Sequence, residues 1–89
     1  MEKYKNKIAT IMALAIEVSE KTKAEVFAKY SGHVDLFEVE IYPDSWENRA
    51  QTAEDKFEVW HTDSDVYISK TLDNVISKLN ELLKWEEQK

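Results

Sequence analysis

The sequence predicts an α+β fold in the order α-β-β-β-α, an antiparallel sheet with both helices packed on one of its faces. Three observations carry that expectation. Apolar residues recur at helical spacing at both ends of the chain, and a spacing of two runs through its middle. Two amphipathic helices also need a common surface to cover, which a three-stranded sheet supplies. Eighty-nine residues make one domain, spanning 1–89.

The first helix is predicted from Glu2 to Glu20. Tyr4, Ile8, Ile11, Ala15 and Val18 fall in one sector of a helical wheel, flanked by Met12 and Leu14, with Ile16 at the margin. The apolar arc spans roughly 200°, where one sheet contact needs little more than about 100°. The opening charged residues followed by Ile8–Ile16 resemble a leader, but the apolar run is too short to span a bilayer and is read as the buried stripe of a soluble helix.

After Thr22 the period becomes two. Ala24, Val26, Ala28 and Tyr30 alternate with Glu25, Phe27, Lys29 and Ser31, and Ser31-Gly32 is expected to supply the positive φ of a hairpin. Alternation resumes over Val34–Tyr42 and stops at Pro43, which cannot donate to a ladder. Residues 44–55 read as a long connection, and Lys56–Thr62 as the third strand. Thr62-Asp63-Ser64-Asp65 is turn chemistry, leaving Val66-Tyr67-Ile68 as a short fourth strand or an extended lead-in. Leu72, Val75, Ile76, Leu79, Leu82 and Leu83 form the stripe of the last helix, with Thr71 as its N-cap, Asp73 in its first turn and Trp85 as a partly exposed clamp.

Composition excludes several classes. At 43% hydrophobic with one Gly and one Pro, the chain is neither disordered nor linker-like. Zero Cys removes disulfide scaffolds and thiolate metal sites, and suits a reducing cytoplasm. The net charge of −6 is uneven: residues 34–65 hold ten acids against Arg49 and Lys56. Double-stranded RNA-binding domains share this element order, but they need cations where this chain is acidic, so nucleic acid is not an expected partner.

Candidate chemistry is sparse. His33-Val34-Asp35 and His61-Thr62-Asp63 are two His-x-Asp triplets, each able to present imidazole and carboxylate from one face of an extended chain. Together they would suit a divalent metal, as in a metal-dependent enzyme; singly they read as polar strand ends. Neither a nucleophile signature nor a glycine-rich phosphate loop is visible, so an enzyme is not expected and no cofactor is implied. Phe27, Leu36, Tyr42 and Trp60 fall out of phase with the core, alongside Glu38, Glu40 and Glu58. They would line the sheet face away from the helices, either as an open interaction surface or beneath the 44–55 connection with Trp46.

The run Ser31-Gly32-His33-Val34-Asp35, then Phe37-Glu38-Val39-Glu40-Ile41-Tyr42 and Asp44-Ser45-Trp46, resembles a group of small proteins of unknown function. These are encoded by phages and prophages of Gram-positive bacteria. They share a leading helix, a Ser/Ala-Gly-His-Val-Asp turn, an Ile-Tyr strand end followed by Trp, and an acidic, leucine-rich last helix. The resemblance implies an α+β fold and a setting inside a bacterial host cell, and brings no activity.

The expected function is therefore a non-enzymatic, acidic protein-interaction module in the cytoplasm, without membrane association. Mimicry of nucleic acid, with carboxylates at phosphate positions to inhibit a basic protein, is the more specific variant. The excess apolar arc of the first helix leaves Leu14, Ile16 and the sheet aromatics as apolar surface and adds an expected homodimer, through that helix or the open sheet face.

Overall fold

A computed structural model of the chain describes residues 1–42 and 55–87, with side chains through residue 84. A 3-10 turn, Glu2–Tyr4, leads into helix α1, Lys5–Lys21. Strands β1 (Glu25–Ser31), β2 (Leu36–Tyr42) and β3 (Asp55–Trp60) follow, and helix α2 (Asp65–Glu87) comes last. The sheet order is β1-β2-β3, antiparallel at both pairings.

Register decides which side chains share a face. Val26 and Ala28 stand opposite Ile41 and Val39, while Phe37 and Val39 stand opposite Val59 and Phe57. Phe37, Val39, Ile41 and Val59 join Ile11 and Val18 of α1 and Leu72, Val75 and Leu79 of α2 in one buried cluster. Both helices therefore cover the same face, α1 over β1 and α2 towards β3. Each Leu, Ile or Phe so buried contributes about 1.5–3 kcal/mol, which makes this face the source of stability. Among the described residues no helix is long and apolar enough to cross a membrane.

The helices run parallel. Lys3 Nζ lies 2.9 Å from Asp65 and the Tyr4 hydroxyl donates to the same carboxylate. Lys7 Nζ lies 2.9 Å from Asp73 further along. Both N-termini thus sit at the end of the sheet that carries the β1–β2 turn.

Four expectations are corrected. Val66-Tyr67-Ile68 is not a fourth strand but the first turn of α2. Thr71 lies inside that helix; Ser64 caps it, its Oγ accepting from Tyr67 N–H at 3.2 Å, and Asp73 serves in an ion pair rather than a first turn. The positive φ of the hairpin falls on Asp35 (52°) and not on Gly32; Asp tolerates the left-handed region because its short side chain bonds locally. Leu14 is half-buried against the core, so the exposed apolar residues of α1 are Met12 and Ile16.

Candidate functional site: the second face of the sheet

The second face of the sheet is built by the alternate residues. Across the three strands it reads Ser31–Leu36–Trp60, then Lys29–Glu38–Glu58, then Phe27–Glu40–Lys56, with Glu25–Tyr42 at the end. Phe27, Leu36, Tyr42 and Trp60 all lie here, as their phase predicts. They do not form one patch. Leu36 and Trp60 occupy one end, and Phe27 packs edge-on against Tyr42 at 5.6 Å at the other. Between them runs the charged belt of Lys29, Glu38, Glu40, Lys56 and Glu58. Leu36 and Tyr42 are only 8% exposed, whereas Phe27 and Trp60 are 45% and 40% exposed. Trp46 and the 44–55 connection up to residue 54 lie outside the described residues, as does the Trp85 side chain.

The belt is electrostatically unbalanced. His61 N–H donates to the Asp35 carbonyl at 3.2 Å, one pair beyond β3. Every second residue of β2 bonds to β3 from there, which makes Glu38–Glu58 a non-hydrogen-bonded pair, where opposed side chains approach most closely. Like charges so placed destabilise a sheet. Neither carboxylate has an ion-pair partner among the described residues, although Lys29 flanks Glu38 on the β1 side. Glu40 differs: it accepts from the Tyr42 hydroxyl at 2.9 Å, a bond that raises the tyrosine's pKa, and stands opposite Lys56.

The remaining described acids of the 34–65 segment face internal partners. Asp35 accepts from the Tyr30 hydroxyl and from the N-terminal amine at 3.2 Å; these bonds, the tyrosine's foremost, lower its pKa, and Tyr30 rises in response. Asp65 is lowered by Tyr4 and then Lys3. Asp55 meets Lys78 at 2.7 Å, and Asp63 accepts from Trp60 N–H at 2.9 Å.

The two His-x-Asp triplets arrive at the same end of the sheet, through the Asp35–His61 backbone bond. Both imidazoles are exposed, beyond the strand ends. Both aspartates are engaged as above, and among the described residues no three His, Cys, Asp or Glu side chains converge to hold a metal.

One participant escapes sequence reading. Tyr67 lines a shallow recess of about 380 Å³ with Lys56, Glu58, Trp60 and Asp63. Read as part of a strand, Tyr67 had no relation to Trp60; as the third residue of α2, capped by Ser64, it stands beside it. The signal was available, since Ile68 lies four residues before Leu72 and extends its stripe. Comparison of the chain with protein-family models, curated proteins and solved structures returned no match, so the residues themselves carry the functional reading.

Proposed function

We propose that this chain is a non-enzymatic protein-binding module, working in the phage or prophage setting that its resemblance implies, and that its partner presents a basic side chain to the sheet face away from the helices. The observation that carries this reading is the opposed Glu38–Glu58 pair beside an exposed Trp60. A Lys or Arg placed between the carboxylates would remove their repulsion and rest against the indole, where a cation–π contact adds about 0.5–1 kcal/mol at an exposed site. Trp60 and Tyr67 are of the type enriched at interface centres. Partner binding is favoured over nucleic-acid mimicry because Asp35, Asp55, Asp63 and Asp65 serve internal bonds instead of spreading over one surface.

The test is affinity capture from a Gram-positive lysate at near-native bait abundance, with the wild-type chain beside Trp60→Ala and Glu58→Lys. A protein retained by the wild type and lost by both variants is the expected result. Capture of nothing, or of the same proteins by all three baits, removes the reading.

A further inference from the structure

We propose that α1 is a self-association surface, on which two copies pack their first helices antiparallel about a two-fold axis near Met12 and Ala13. This goes beyond the partner-binding reading and uses the opposite side of the molecule. Ile16 is 62% exposed and Met12 40% exposed, and Ala9 and Ala13 beside them are exposed as well. With about 100° per residue, these four and the flanking Lys5 and Glu20 fall within an arc of about 100°, away from the buried side of Ile11 and Val18.

The order of residues along that arc is self-complementary. In antiparallel packing that sets Met12 against Ala13 of the second copy, Ala9 falls against Ile16 and Lys5 against Glu20. Each large apolar side chain then meets a small one, which lets the helices approach closely. Each end closes with an opposite charge, and two-fold symmetry doubles every contact. Glu20 has no ion pair among the described residues. Lys5 meets only Glu2, at 3.0 Å in an exposed pair, and such pairs contribute little and exchange readily.

The competing route, strand addition at the β1 edge, is obstructed. Ser19 Oγ accepts from Val26 N–H at 3.0 Å and Thr22 Oγ1 from Ala24 N–H at 3.0 Å, so α1 and its C-terminal cap already take two outward donors of that edge. The helix face, over residues 5–20, is about 22 Å long. One helix face falls below the standard interface size, which fits a transient dimer.

Sedimentation velocity over a concentration series from micromolar to several hundred micromolar tests this, with thermal melting to show that each variant is folded. The wild type is expected to move from 10.5 kDa towards twice that mass. Ile16→Glu, at a solvent-facing position, should stay monomeric. Lys5→Glu and Glu20→Lys should each weaken the dimer several-fold, and the double exchange should restore it. A wild type that is monomeric throughout overturns the proposal. So does a dimer indifferent to Ile16→Glu, or a folded double exchange that fails to recover association.

Discussion

The two faces of β2 are held by different chemistry within one strand. Towards the helices, Phe37, Val39 and Ile41 are each about 1% exposed and belong to the single core cluster. Towards the open side, Leu36 and Tyr42 are buried but stand outside that cluster, with Glu38 and Glu40 between them. A strand that needed only stability would not place Glu38 across from Glu58. The helix-facing side secures the fold, and the other side keeps a like-charged pair, the place the proposed partner's cation would take.

Four measurements sharpen that contrast or break it. The largest effect belongs to the core side: Phe37→Ala should cost about 3–5 kcal/mol in urea denaturation, enough to unfold a marginal domain. Its neighbour Leu36→Ala should cost about 2 kcal/mol, the lower end for a buried leucine, because it stands outside the core cluster. Equal losses at the two positions would mean that the faces share one core. Glu58→Lys should act in the opposite direction, raising stability by about 0.5 kcal/mol while partner capture fails; a loss of stability would show the pair to be already compensated.

The fourth concerns pH. Asp35 and Asp65 have folded-state pKa values below the model-peptide value, so the folded chain binds fewer protons there than the unfolded one. Their stabilisation is full above the unfolded carboxylate pKa, near about 4, and is lost as pH falls through the lower folded values. Tyr4, Tyr30 and Tyr42 are raised, so their contribution holds below about pH 10 and fades as pH climbs through the folded values. Melting temperature against pH should show a plateau between these limits. Asp35→Asn should lower the plateau slightly and flatten its acid limb; an acid limb unchanged in that variant would show that the Tyr30 and N-terminal bonds to Asp35 carry none of it.

Period carried most of the fold. The stripe of α1, the alternation of β1 to β3 and the assignment of Phe27, Leu36, Tyr42 and Trp60 to the second face were all legible from residue spacing. What was not legible depends on local bonding. Val66-Tyr67-Ile68 has β-branched and aromatic side chains that suit a strand, and against them stand the Ile68 spacing to Leu72 and the bonds from Tyr67 and Ile68 N–H to Ser64 that start the helix there. Gly32 is the residue that most readily takes positive φ, yet Asp35 takes it, with its carboxylate held by Tyr30 and the chain's first residue. That pairing spans 34 positions in the chain and has no local signature. The candidate site was half visible: its acids and Trp60 followed from phase, but the opposition of Glu38 to Glu58 needed the register, and Tyr67 needed the true helix start.

The parallel setting of α1 and α2 has an electrical consequence. In an antiparallel pair the two peptide macrodipoles cancel at long range; here they point the same way and add. With about half an elementary charge at each helix end, the molecule carries roughly one unit of charge separated along its length, positive at the end with Asp35 and Asp65. Asp35 and Asp65 at that end are paired with the N-terminal amine and Lys3, while Lys21 and Lys84 lie in the last turns at the other, so side-chain charges modulate both poles. A charged partner of the kind proposed would be turned before it touches, and its encounter rate should depend on ionic strength even for variants whose net charge is unchanged.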